Sequence, residues 1–213
     1  MWNLLLDFLF PRRSLSGREG EWITDDERRQ LRAKPIILET AMLRSRGIQS
    51  LDRIVAAAMY DDVPLLKKAI HTFKFRRMRS LAPELGTMLV EASKVSWTDD
   101  HPVLCPVPLH WSRRFQRGFN QAEMLAQIVA SARGIPVQSL VRRIRPTGHQ
   151  TQRTREERLV AVRDAFRVDA SPLPPFIVLI DDVTTTGATL DACAVALKRA
   201  GAQRVEGLVA AYG

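Results

Sequence analysis

Cysteine is nearly absent: the 213 residues of this chain include only Cys105 and Cys193. Two thiols cannot build a disulfide scaffold or a four-thiolate zinc site, and so low a count fits a reducing cytosol. Both lie in apolar patterns and are expected in the core. No stretch reaches the roughly 18 apolar residues of a membrane span. The apolar start Met1–Phe10 has no basic segment ahead of it, and Pro11-Arg12-Arg13 follows where a cleavage site would be. A signal peptide is therefore not expected, and docking of this start within the protein is favoured over a partner or a membrane surface. Acidic residues are outnumbered, 23 against 32 Lys and Arg, for a net charge of +9. That balance favours anionic partners: phosphates, nucleic acid or an acidic protein surface.

Hydrophobic residues make up 46% and charged residues 26%, which suits a globular chain rather than a disordered one. Residues 1–50 are charge-rich, with weak periodicity and no evident strand. They are expected to form a small irregular segment ahead of a domain at 51–213. Leu51–Tyr60 reads as a strand or short helix, Leu65–Phe75 and Leu81–Ala92 as helices, and Val103–Val107 as a buried strand. Gln121–Ala132 reads as a helix, Val137–Ile144 as a strand, and Arg145–Arg158 as a loop leading into a helical turn. Strand Phe176–Ile180, helix Ala188–Ala200 closed by Gly201 and strand Val205–Ala211 complete the pattern. This alternation predicts an α/β fold: a parallel sheet flanked by helices, with ligands at the C-terminal ends of its strands.

One stretch carries most of the functional information. After Pro174-Pro175 come five apolar residues, Phe176–Ile180, then Asp181, Asp182, Val183, Thr184, Thr185, Thr186, Gly187, Ala188 and Thr189. The apolar run predicts a strand buried on both faces, ending at the acidic pair. A helix opening beyond it would offer backbone N–H groups and a positive dipole end to an anion. Gly187 permits close approach to a phosphate, the threonines add donors, and the carboxylates are acceptors for ribose hydroxyls or a magnesium ion. An ordinary strand–turn–helix junction is the plainer alternative. The full order of features resembles the type I phosphoribosyltransferases, whose site for phosphoribosyl pyrophosphate is such a strand, loop and helix. On that resemblance Asp181 and Asp182 are the candidate catalytic residues.

A second segment, Cys105-Pro106-Val107-Pro108-Leu109-His110, runs through Arg113, Arg114 and Arg117 to Gly118-Phe119-Asn120-Gln121-Ala122-Glu123. It follows a strand end and leads into a helix, so its loop should share a sheet edge with the acidic pair. Arginine forks there suit a pyrophosphate. Together with Arg143-Ile144-Arg145, Thr147, Gln150, Arg158, Ala165-Phe166 and His71–Phe75, the segment is similar to the ComF competence family. The resemblance covers about residues 51–213.

The resemblance implies a cytoplasmic bacterial protein that handles incoming single-stranded DNA, beside a DNA-uptake motor protein. It also implies a type I phosphoribosyltransferase-like fold that binds phosphoribosyl pyrophosphate with Mg2+. Thr184–Thr189 would then cradle the 5′-phosphate, and Leu109, His110, Arg113 and Arg117 would lie on the pyrophosphate side. The family's opening zinc module is degenerate here: Arg13 and Ser16 stand at cysteine positions, so no zinc is expected in residues 1–50. Ala161 replaces a family asparagine. Purine salvage transferases place an aspartate where this chain has Thr185, and a neutral threonine is a poor base.

Arg142–Arg158 admits three readings: a lid over pyrophosphate using Gln150, Arg153, Arg155 and Arg158, a track for single-stranded DNA, or a solvated charged loop. Lys74, Arg76, Arg77 and Arg79 form a second basic patch, expected to lie away from the acidic loop. Phe115, Phe119 and Trp111 are candidates for base stacking. Two functions stay open: an enzyme using phosphoribosyl pyrophosphate on an unidentified acceptor, and a non-catalytic module binding phosphates and single-stranded DNA.

Overall fold

The computed structural model describes residues 14–19, 21–75, 79–97, 101–109, 115, 118–145, 165–169 and 172–213. In chain order the described elements are α1 (Asp25–Gln30), β1 (Ile36–Glu39), α2 (Thr40–Ser45), β2 (Arg53–Met59) and α3 (Pro64–Phe75). A 3-10 turn at Arg79–Leu81 leads into α4 (Ala82–Lys94), followed by β3 (Val103–Pro106), α5 (Gln121–Arg133), β4 (Val141–Arg143) and β5 (Phe166–Val168). The chain closes with β6 (Phe176–Thr184), α6 (Ala188–Arg199) and β7 (Arg204–Tyr212). Five strands form one sheet in the order β1-β2-β7-β6-β3. It is parallel except for β1, which runs antiparallel to β2. The expected parallel α/β sheet flanked by helices is observed.

Two apolar clusters, one on each face, explain the continuous hydrophobic runs. Val178 and Ile180 join Leu66, Ile70 and Phe73 of α3, Leu85 and Leu89 of α4, and Leu125 and Val129 of α5. Ile177 and Leu179 join Leu190, Cys193, Ala194 and Leu197 of α6. Alternation along β6 sends successive side chains to these two faces, so no position in the run is free to be polar. Each large aliphatic or aromatic side chain so buried contributes about 1.5–3 kcal/mol. Both cysteines lie fully inside, as expected, and burial pushes the Cys105 thiol up to about 11 and that of Cys193 well above its ordinary value. Neither serves as a thiolate at neutral pH.

The N-terminal segment departs from expectation. β1 lies within residues 1–50, where no strand was evident, and it pairs in register with β2, Leu38 opposite Ile54. Leu15, Ile23, Leu31, Leu43 and Ile48 are buried in the same two clusters as the sheet. Thr24 and Glu27 form a capping box on α1, and the buried Glu27 also accepts from Ser14 Oγ at 2.9 Å and from the Ser16 amide. Burial works against this carboxylate, but the bonds from Thr24, Ser16 and Ser14 outweigh it and hold its pKa at about 2.

The expected strand Val137–Ile144 is divided. Val137 bridges to Leu104 beside β3, with Leu104 N donating to Pro136 O and Gln138 N donating to Leu104 O, each at 2.9 Å. Only Val141–Arg143 then forms a strand, paired with β5 in a separate two-stranded ribbon against α6. Among the described residues no helix is long and apolar enough to cross a membrane.

Candidate functional site

β6 does not end at the acidic pair. It continues through Asp181, Asp182 and Val183 to Thr184, because β7 runs alongside as far as Tyr212, opposite Thr184. Gly213 N closes the ladder on Thr184 O at 3.0 Å. Polar residues at a strand end normally read as a stop; here the neighbouring strand's length overrides them. The backbone then turns through Gly187, at φ 77°, into α6. A Cβ at Gly187 would stand 3.1 Å from Ile48 Cδ1, so both conformation and space call for glycine.

The carboxylates have different surroundings. Asp181 is half-buried and its Oδ1 accepts the Asp182 amide at 2.9 Å. It is on the α6 side, where its charge, after burial and the neighbouring Cys105, helps to raise the Cys193 thiol. Asp182 is buried and forms an ion pair with Lys74 Nζ at 2.8 Å. This corrects the expectation that Lys74 belongs to a basic patch away from the acidic loop. The signal in the sequence, a lysine near the end of a helix, gave no pointer to a carboxylate so far along the chain. Arg79 is also tied in, its Nη2 reaching Gly118 O at 3.4 Å and its guanidinium lying 5.1 Å from the centre of the Phe119 ring. Arg76 and Arg77 lie outside the described residues.

In the expected phosphate cradle, Thr184 is buried, Thr185 exposed, and Thr186 and Thr189 half-buried, while Thr186 Oγ1 accepts the Ala188 amide at 3.3 Å. Val183 is half-buried and Ala188 buried. One turn on, the buried Asp191 accepts the amides of Gln49 at 3.1 Å, Ser50 at 2.7 Å and Leu51 at 3.1 Å. A carboxylate in the first turn of α6 would compete with a bound anion. Asp191 is instead turned onto the N-terminal segment, whose residues 46–51 thereby wall one side of the loop. Arg46 bonds the Tyr212 hydroxyl on that wall. An acidic residue just inside a helix start was the available signal for Asp191, and it was missed.

On the pyrophosphate side β3 ends at Pro106, and Val107 N donates to Ile180 O at 2.9 Å, beside Asp181. Leu109 is half-buried at the start of the loop. Asn120 pinches the base of that loop: its Nδ2 donates to Val107 O at 3.2 Å while its Oδ1 caps α5 at Ala122 N. Both flanks of the loop, Val107 and Asn120, therefore stand at the sheet edge that carries the acidic pair, as expected. Phe119 is buried 5.5 Å from Phe73, which makes it a core residue rather than a stacking surface. Phe115 is 87% exposed. His110, Trp111, Arg113 and Arg117 lie outside the described residues, as do Gln150, Arg153, Arg155 and Arg158. The ribbon from which the 146–164 segment departs is pinned by Arg142 on Asp169 at 2.7 Å.

Among the described residues no group of three or more acidic, His or Cys side chains is placed to hold a metal ion. Magnesium commonly binds through one or two carboxylates plus substrate phosphates, and keeps waters. Asp181 fits that mode. Asp182 already has a cation at contact distance.

No family model matches the chain. Similar curated proteins include the DNA utilization protein YhgH of Salmonella typhimurium, 32% identical over 160 residues, covering 72% of this chain and 69% of that protein. Competence protein F of Haemophilus influenzae is 29% identical over 165 residues, covering 74% and 71%. Competence protein ComFC of Bacillus subtilis is 32% identical over 133 residues, covering 62% and 52%. Among solved structures, glutamine phosphoribosylpyrophosphate amidotransferase from B. subtilis is similar at a TM-score of 0.40 and 22% identity, covering 60% of this chain and 25% of that one. With these relatives the chain belongs to the ComF family of competence and DNA-utilization proteins.

Proposed function

We propose that the chain binds a phosphorylated ribose, phosphoribosyl pyrophosphate or a close relative, at the loop joining β6 to α6. We further propose that it works in the cytoplasm in DNA uptake, beside a DNA-uptake motor protein. The observation that carries the reading is the continuity of Asp181, the left-handed Gly187 turn and the start of α6 on one sheet edge. The first amides of a helix and its dipole attract a phosphate, and a carboxylate behind them accepts ribose hydroxyls. Leu109 and Asn120, which flank the stretch carrying His110, Arg113 and Arg117, stand at the same sheet edge, and those three residues would meet a pyrophosphate there. Magnesium, when bound on the phosphates and Asp181, would stabilise the pyrophosphate as a leaving group.

Transfer to an acceptor needs a base, and Thr185 is an exposed neutral residue at the tip of the loop. That observation favours a second reading, in which the site binds its ligand without transfer and the basic surface carries single-stranded DNA. Calorimetry separates the two. Phosphoribosyl pyrophosphate with magnesium should bind the full chain, and slow release of pyrophosphate with candidate nucleobases would mark an enzyme. No heat with phosphoribosyl pyrophosphate would remove both forms of the proposal that involve ribose.

A further inference from the structure

Lys74 is the next-to-last residue of α3, where the negative end of the helix dipole favours a cation. The preceding Phe73 is fully buried against Phe119, so the helix end is fixed and the ammonium is delivered to one place. Asp182 is 5% exposed in its side chain, and a carboxylate so closed to water needs a charged partner. Lys74 supplies it at 2.8 Å. A divalent ion at Asp182 would compete for the same oxygen lone pairs and meet a like charge at contact.

We infer that Lys74 is a positioning residue whose ammonium is the resident counter-ion of Asp182, so that magnesium reaches this site with the ligand's phosphates and not on Asp182. The inference rests on the phosphoribosyl reading for the nature of the ligand. Asp182 is thereby neutralised from within and holds α3 against the sheet edge. A ribose phosphate lacking pyrophosphate should then bind without any metal.

The test titrates manganese into the ligand-free full chain and reads the free ion by electron paramagnetic resonance. Wild-type should bind manganese weakly. Lys74→Met should bind it roughly ten-fold tighter or more, because the freed carboxylate regains its full attraction. Adding Asp182→Asn to Lys74→Met should abolish the gain, and Lys74→Arg should match wild-type. A folded Lys74→Met with no gain would overturn the inference, and so would a gain that survives the added Asp182→Asn. Lys74→Gln, which removes the charge and keeps a hydrogen-bonding group, gives the same comparison where Lys74→Met fails to fold. Ribose 5-phosphate, titrated separately in EDTA, addresses the underlying reading: no binding there removes the phosphoribosyl site and leaves the manganese comparison intact.

Discussion

Lys74 and Asp182, far apart in the sequence, meet at 2.8 Å beneath the loop that follows β6. The contact ties Asp182 to the end of α3, while Asp181 Oδ1 accepts the Asp182 amide at 2.9 Å. Asp181→Asn should weaken phosphoribosyl binding by about 1.5–3 kcal/mol, the worth of a hydrogen bond to a charged group. Calorimetry with phosphoribosyl pyrophosphate checks it; unchanged affinity would mean that ribose is not read at Asp181.

Gly187→Ala should lose both stability and phosphate affinity. A left-handed backbone costs an L-residue about 1–2 kcal/mol, and the added methyl would press on Ile48 at 3.1 Å. Denaturant unfolding measures the first effect and inorganic phosphate titration the second. A variant as stable as wild-type would show that the turn is less constrained than its φ of 77° implies.

Asp191→Ala should destabilise the chain by about 2–4 kcal/mol, because three amides, that of Leu51 fully buried, lose a charged acceptor. The amides concerned are those of Gln49, Ser50 and Leu51. Hydrogen exchange should speed up at these three positions first. Exchange unchanged there would refute the role given to Asp191 in holding the N-terminal wall.

Glu27 predicts a specific acid sensitivity. Its folded pKa, about 2, lies below the ordinary 4.5, so the stability it contributes is fully present above pH 4.5 and is lost as pH falls toward 2. In Glu27→Gln the midpoint of thermal unfolding should be lower at pH 6, and the gap to wild-type should narrow as the pH is taken down to 3. Parallel curves would show that the carboxylate is not stabilised by Ser14, Ser16 and Thr24.

If single-stranded DNA binds the basic surface, its affinity should fall with salt by a slope of about −0.7 per phosphate neutralised. Charge reversal at Arg76 and Arg77 tests this better than at Arg79, which supports Gly118 and Phe119. Phe115→Ala should weaken binding by about 1–3 kcal/mol if the exposed ring stacks on a base. Changes at Arg153 and Arg155 that alter pyrophosphate binding and spare DNA would favour a lid instead.

The strand, turn and helix of the candidate site were legible because their burial is written locally, in five consecutive apolar residues and a glycine before a helical pattern. The end of β6 was not, since the pairing that carries it to Thr184 depends on β7. β1 escaped notice because it is a short edge strand with one fully buried residue, Leu38, so it has no period to detect. Lys74 and Asp191 were visible as charges only; their partners are set by the packing of α3 and of residues 49–51, which no local pattern encodes.

The outer edge of β3 is sealed in an unusual manner. In a parallel strand alternate residues turn both backbone groups outward, and here those residues are Leu104 and Pro106. The outward groups of Leu104 are consumed by Pro136 and Gln138, and Pro106 has no N–H to give. A foreign strand approaching this side finds no ladder to extend, which guards a chain rich in buried β-sequence against fibrous self-association.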